Sequence, residues 1–420
     1  MIPKIHVYQN KLANPKFSFV AVIIFTGSIF ENLKEKGISH FIEHLIFKGS
    51  KYSTNLKNLN NKLNHNGMNV NAATSSFFTY YYISTPNIYI KEAIATLIQI
   101  VCNPLFREED INNERKVVIN ELVEKMNNPM SFAQQMSLNI IYQKENPFVH
   151  PIIGYIPILK KISQKDILQY YQKFYTPQNI VFFTSTAKNK NPIEKIWKSQ
   201  YKLYSGAPSA DPSGAPPIQT SDLFKCLIPS FSLYNPSKTV NLSKNFPNNK
   251  SYFVSMKYIV PECTIKEQIA FDIFTNYLTG GLSSLLFIEL RDKNQLIYSI
   301  GSYADSGVNI LEFIIQFNCK KNKKTLTECL ENINKEFKNF FKNGMPIKEF
   351  KKFKNKTIFN YIRTESAGTK KMYEIIGKYY NLFPKYNYQK EIKSITNSFI
   401  HKTITEKLND KTTKKYIIVV

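Results

Sequence analysis

Residues 40–44 read His-Phe-Ile-Glu-His, and one backbone geometry lets those side chains act together. On an α-helix His40 and His44 stand at i and i+4, one turn apart on one face. Glu43, three residues from His40, leans toward the same side. Two neutral imidazoles in that arrangement fill two corners of a tetrahedral zinc site, and an adjacent carboxylate can take a proton from water held by the metal. The chain has only six histidines in 420 residues, and this pentapeptide holds two of them. The order His-x-x-Glu-His inverts the commoner zinc-binding helix. Taken alone, the pentapeptide also fits a helix with two packed or solvated histidines.

A zinc site needs a third protein ligand and one open position. The segment EEDINNERKVVINELVEKM, 108–126, offers candidates. Its acidic start suits a helix N-terminus. Val117, Val118, Leu122 and Val123 recur at helical spacing and predict a buried face. Glu114 and Glu121 lie seven apart and project to the same side, whereas Glu124 reads as solvated. The residues alone do not select Glu121 over Glu114.

HFIEHLIFKGS at 40–50, followed by ERKVVINEL at 114–122, resembles the pitrilysin/insulinase family of zinc peptidases, in its short, processing-peptidase-like branch. The resemblance implies one zinc per chain, held by His40, His44 and a Glu 77 residues after the second His; 44 plus 77 is 121, so Glu121. It implies a supporting Glu seven residues earlier, Glu114, and Glu43 as general base and acid. An Asn-Ala pair that holds extended peptide on an edge strand matches Asn71 and Ala72. An Arg and a Tyr seven apart match Arg291 and Tyr298; the resemblance implies that Tyr298 donates to the oxyanion and Arg291 holds the substrate backbone or carboxylate. Similarity runs through FSFVAVIIFTGSIFENLKEKGISHFIEH, GMNVNAATSSFFTYYYIS and HPIIGYIPILKKISQKDILQYYQKFYTPQNIVFF, and in the second half through SYFVSMKYIVPE and LTGGLSSLLFIELRDKNQLIYSIGSY. His150, in the third of these, is expected to be structural. Leu285 stands where the family often has Arg, and Thr279 replaces a Gly; both departures bear on partner geometry and neither touches the metal ligands.

At 420 residues with 43% hydrophobic content, the chain predicts two or more domains with sizeable cores. SGAPSADPSGAPPIQTSD, 205–222, has no Lys and no aromatic residue, and reads as a Pro/Ala/Ser-rich linker. It separates a catalytic domain, 1–204, from a homologous domain, 223–420. Each half opens on an apolar strand-like segment, 17–25 and 252–260, and later carries a comparable helical stretch. Aligning those stretches brings Asp110 to Glu349 and Glu121 to Asn360, and the second half has no His-x-x-Glu-His. The expected fold is α+β: two homologous domains of helices packed on mixed or antiparallel sheets.

The formal net charge of +25 raises nucleic-acid, membrane-surface and acidic-peptide partners. Runs such as CKKNKKTLTE and KEFKKFKNKT place apolar residues between the lysines, and read as solvated helix faces. No recognition helix, RNA-binding aromatic motif or zinc finger is present, so no nucleic-acid partner is expected. Cys102, Cys226, Cys263, Cys319 and Cys329 are scattered and read as reduced thiols. No apolar run is long enough for a membrane span, and MIPKIHVYQNKLANPKFSF lacks a signal-peptide core. A soluble, intracellular, cytoplasmic protein is expected. Full-length relatives resemble four such domains closing a chamber, so a homodimer, or a heterodimer with a related subunit, is expected to complete one around a peptide substrate. Arg291 and Tyr298 would then reach the partner's zinc. The alternatives are a partner-dependent or catalytically silent scaffold subunit and a basic nucleic-acid-binding protein.

Overall fold

The computed structural model describes residues 4–9, 16–51, 61, 63–186, 193–201, 227, 233–242, 246, 250–261, 263–306, 310–366, 369–379, 388–409 and 413–420. The linker at 205–222 lies outside them. The chain forms two compact units: Met1–Glu124, Lys144–Ser232 and Thr364–Tyr380 in one, and Lys125–Gln143, Leu233–Arg363 and Asn381–Val420 in the other.

The first unit is built on a five-stranded sheet of β1 (Lys4–Gln9), β2 (Phe17–Ile24), β3 (Asn69–Thr74), β4 (Thr79–Pro86) and β5 (Ile180–Thr186), in the order β1-β5-β2-β4-β3. β2 is a near-continuous apolar run, FSFVAVII, and every residue after Phe17 is buried, as a strand covered on both faces requires. β4 alternates: Thr79, Tyr81, Ile83 and Thr85 are buried, and Tyr80 and Tyr82 face the other side, half-buried. β3 stands at one end of this order and β1 at the other.

The second unit has β6 (Lys238–Asn241), β7 (Ser251–Pro261), β8 (Ile297–Ser306), β9 (Ile310–Lys320) and β10 (Lys414–Val419), in the order β6-β10-β7-β9-β8. Replacing β1, β5, β2, β4 and β3 by β6, β10, β7, β9 and β8 reproduces the first sheet strand for strand. The parallel pair recurs too: β1 with β5 and β6 with β10, the other pairings being antiparallel. The homology of the two halves, legible as two similar runs of sequence, is therefore a shared topology.

Five helices of the first half matter below: α1 (Ile38–Ile46), α2 (Ile90–Cys102), α3 (Glu108–Asn127), α4 (Pro129–Ile141) and α5 (Gln164–Phe174). The second half contributes α6 (Ile265–Thr279), α7 (Lys323–Asn343), α8 (Ile347–Ser366) and α9 (Thr369–Tyr379). α3 corrects one expectation. Its buried stripe is Ile111, Glu114, Val118 and Leu122, while Val117 and Val123 are 49% and 44% exposed. Residues three and four apart share a helix face; 117 and 123 are each one step off the stripe, about 100° around the axis.

In the second unit Val254, Met256, Tyr258 and Val260 of β7 and Leu311, Phe313, Ile315 and Phe317 of β9 pack against α6 and α7. Phe274 and Phe340 meet there with ring centroids 4.7 Å apart. Each such side chain contributes about 1.5–3 kcal/mol when fully buried.

Two helices belong to the unit of the opposite half. α4 directly follows α3 yet packs in the second unit, where Ser137 Oγ accepts from Lys257 Nζ at 3.1 Å and Phe132 meets Phe246. α9 directly follows α8 yet packs in the first, with Tyr373 against Phe78 and Tyr80 at 5.7 and 6.3 Å. The exchange is reciprocal. Several lysines of the KEFKKFKNKT run also have structural work: Lys352 Nζ donates to Ser283 O, and Lys354 Nζ to Lys393 O and Ile395 O. No helix among the described residues is long and apolar enough to cross a membrane.

Candidate metal centre

α1 follows β2 after residues 25–37, which include a 3-10 turn, Ser28–Phe30. A Cβ on Gly27 would meet Ser75 O at 2.2 Å, so only glycine allows the connection to pass this close to that backbone. Ile38, Phe41, Ile42, Leu45 and Ile46 bury the rest of α1, which leaves His40 and His44 on the remaining face beside α3. Their ring centroids are 4.7 Å apart.

Glu121 reaches both rings. Its Oε2 lies 3.8 Å from His40 Nε2 and 3.4 Å from His44 Nε2. One ligand atom from each of His40, His44 and Glu121 falls within 4.8 Å of the others, a group that could hold a metal ion. A tetrahedron with bonds of about 2.0–2.1 Å has edges of roughly 3.3–3.4 Å. The two Glu121 separations sit at or just above that edge and the remaining one is within 4.8 Å, so this donor set is compatible with a zinc-sized ion.

Glu114, one of the two carboxylates left open by spacing alone, sits elsewhere in the cluster. It is 4% exposed, and its Oε1 is 2.9 Å from His44 Nδ1 while its other oxygen pairs with Lys48 Nζ. Burial pulls the His44 pKa down, but hydrogen bonds to Glu114 and Glu121 outweigh that and carry it up to about 9. Burial pushes the Glu114 carboxyl up, and the His44 and Lys48 contacts more than reverse it, holding it below the usual carboxylate range. A metal held at His44 Nε2 would compete with the proton there, so its binding would release a proton.

Glu43 is on the same helix and outside the ligand set. Its Oε2 accepts from Thr74 Oγ1 at 2.6 Å. Thr74 closes β3, and Thr79 Oγ1, in register opposite it, donates to Thr26 O at 3.0 Å. Sequence reasoning passed over Thr74. Strand alternation was the available signal: counting from Asn71, Thr74 faces the opposite side of β3, toward α1.

Asn71 and Ala72 lie on an edge strand, as the resemblance implied. Asn71 Oδ1 accepts from the Ala72 N–H at 2.8 Å, so a peptide added along β3 would compete with that bond. Arg291 and Tyr298 lie in the second unit and meet each other: the guanidinium sits 5.1 Å over the Tyr298 ring. Arg291 is on a π-helical turn, Ile288–Lys293. Tyr298 stands at a register break between Ile297 and Ser299 of β8 and is 78% exposed. Bulges of this kind re-aim a side chain. His150 is outside the group that could hold a metal, and its Nδ1 is 3.0 Å from the Tyr155 hydroxyl.

The family model described as insulinase (peptidase family M16) matches residues 7–152, and that described as peptidase M16 inactive domain matches residues 161–357. A Rickettsia bellii protein described as an uncharacterized zinc protease is 30% identical over 397 residues, covering 92% of this chain and 86% of that protein. The chain belongs to the M16 peptidase family. This M16 chain is also 30% identical over 199 residues to a probable mitochondrial-processing peptidase subunit beta of Arabidopsis thaliana, covering 47% of the chain and 36% of that protein. The structure of a protease from Helicobacter pylori aligns with a TM-score of 0.78 at 20% identity, over 99% of this chain and 96% of that one, which shows a common fold. Within the M16 chain, His40, Glu43, His44, Glu114 and Glu121 all fall in the first family match, and Arg291 and Tyr298 in the second.

Proposed function

We propose that this M16 chain is a zinc-dependent endopeptidase that hydrolyses peptides or unfolded segments held as an extended strand. The observation that supports the reading is that ligand atoms of His40, His44 and Glu121 lie within 4.8 Å of one another, a group that could hold a metal ion, with Glu43 on the same helix but outside that group. When bound, zinc supplies Lewis acidity, which polarises a carbonyl and makes water a better proton donor. His40, His44 and Glu121 would hold it, one ion per chain. Glu43 takes the proton from the attacking water and hands it to the leaving amine. The Thr74 hydroxyl holds the Glu43 carboxylate in one orientation for both transfers. Glu114 fixes the His44 ring and its tautomer, as a carboxylate behind a ligating imidazole does.

Substrate binding is assigned to the outer edge of β3. Backbone donors and acceptors there serve an extended peptide of any sequence, with Asn71 and Ala72 at the point of contact. Tyr298 supplies a phenol to the developing oxyanion and Arg291 holds the substrate backbone or a carboxylate. Both roles are assigned to a partner protomer in a homodimer.

A second reading has one observation in its favour. The likeness to a protein named as the beta subunit of a processing peptidase points to a chain that needs a different, related subunit before it cleaves. The test is zinc content together with hydrolysis of a quenched, unstructured peptide, wild type beside Glu43→Gln. One zinc per chain in both, with activity in the wild type only, is the expected result. Zinc without activity in the wild type favours the partner-dependent subunit. No zinc in either chain overturns both readings.

A further inference from the structure

α1 begins at a glycine, so its N-cap position carries no side chain to accept from the first turn. Gly37 has φ +99°, and a Cβ there would meet Ile153 O at 2.7 Å, which bars the usual Ser, Thr, Asp or Asn cap. The acceptors come instead from Glu31, in the turn before the helix. Its Oε2 accepts from Gly37 N–H and its Oε1 from Ser39 N–H, each at 2.9 Å. Glu31 is 5% exposed. Lys36, equally buried, donates Nζ to Ser28 O at 3.1 Å and to Glu31 O at 2.7 Å, which fixes the turn that delivers the carboxyl. On the other side, Ser39 Oγ is 2.8 Å from the Tyr170 hydroxyl of α5, and that hydroxyl is 2.8 Å from Thr26 Oγ1 beyond β2.

Burying a carboxyl is unfavourable, and desolvation pushes its pKa up to about 7. A solvent-exposed cap would stabilise a helix without that penalty. What the buried arrangement adds is a fixed tie from the first turn of α1 to β2 and α5. We propose that Glu31 is a positioning residue for the metal centre, holding α1 at one rotation so that His40, Glu43 and His44 keep their mutual aim with Glu121. This rests on the peptidase reading above. A rotation of about 10° moves atoms ~6 Å off a helix axis by roughly 1 Å. A misplacement of about 1 Å can lower a rate ~10²-fold.

The experiment compares full-length Glu31→Gln with wild type and with Asn322→Ala, which removes the N-cap bond of α7 in the second unit and serves as a stability control. Amide hydrogen exchange across 38–46 is measured on metal-free protein. Zinc release to a chelator, and kcat and KM on a quenched peptide, are measured on loaded protein. Expected for Glu31→Gln are exchange at least tenfold faster than in the control, zinc release at least tenfold faster, and kcat at least tenfold lower with KM within twofold. A folded Glu31→Gln that keeps wild-type zinc release and kcat overturns the proposal, whatever its melting temperature. If the wild type itself neither binds zinc nor cleaves, the peptidase reading falls, and exchange decides for Glu31: acceleration at 38–46 beyond the control supports it, none overturns it. Should Glu31→Gln fail to fold, Tyr170→Phe, which cuts the tie to Ser39 and leaves the carboxyl, is judged by the same criteria.

Discussion

His44 presents Nδ1 to Glu114 Oε1 at 2.9 Å, and that contact leaves Nε2 as the nitrogen facing Glu121. A histidine ring has two nitrogens, and the partner of one sets the role of the other. Glu114→Gln keeps the shape but removes the negative charge that favours an Nδ1 proton, and leaves Lys48 without its counterion. Zinc affinity, measured by chelator competition, should fall about 10–100-fold. An affinity within twofold of wild type would refute the orienting role.

The Thr74 bond to Glu43 makes a separate prediction. Thr74→Val keeps the volume and the β-branched shape but deletes the hydroxyl. A hydrogen bond to a charged group is worth about 1.5–3 kcal/mol, so kcat should drop about 10–100-fold with KM nearly unchanged. A rise in KM at constant kcat would instead place Thr74 in substrate binding.

Metal should stabilise the fold as well as enable chemistry. A ligand that binds only the native chain adds about 4 kcal/mol at a thousandfold excess over its dissociation constant. Stripping zinc should therefore lower the unfolding temperature of the wild type by several degrees. Glu121→Gln, lacking one ligand, should respond much less. Equal responses would count against Glu121 as a ligand.

Glu31 links stability to pH. Its pKa is about 7 in the fold against 4.5 for an ordinary glutamate, so near pH 6 the folded chain holds a proton that the unfolded chain has released. The contribution of Glu31 is full below about pH 4.5 and is lost as pH rises through 7. Urea unfolding of wild type and Glu31→Gln from pH 4.5 to 7.5 should show the wild-type advantage shrinking as pH rises. A constant or growing advantage would show the reverse linkage.

The composite site has its own test. Mixing inactive Glu43→Gln with inactive Tyr298→Phe should restore part of the activity, because one site in the mixed dimer would have an intact Glu43 and an intact Tyr298. No recovery from a mixture shown to exchange subunits would place both residues in one chain's site.

The juxtaposition of His40 and His44 on one helix face was legible because they are close in sequence and their spacing fixes their geometry. Glu121 and Glu114 were not separable on those terms. Seven residues put them on one face, and only the approach of α1 to α3 makes one reach both Nε2 atoms while the other takes Nδ1. Val117 and Val123 misled for a related reason: apolar residues next to a buried stripe read as part of it. The bulge at Tyr298 and the Glu31 cap depend on contacts across turns and strands, which no periodicity encodes. The strand order was not legible: β1 and β6 precede the apolar central strands β2 and β7, and their parallel pairing with β5 and β10 joins segments far apart in the chain.

The reciprocal placement of α4 and α9 bears on how this polypeptide could be divided. A cut within 205–222 would leave each fragment with a helix suited to the other's sheet and without the helix that covers its own. Tyr80 and Phe78 would lose Tyr373, and Lys257 would lose Ser137. The two fragments would be interdependent pieces, insoluble when made singly and competent when made together.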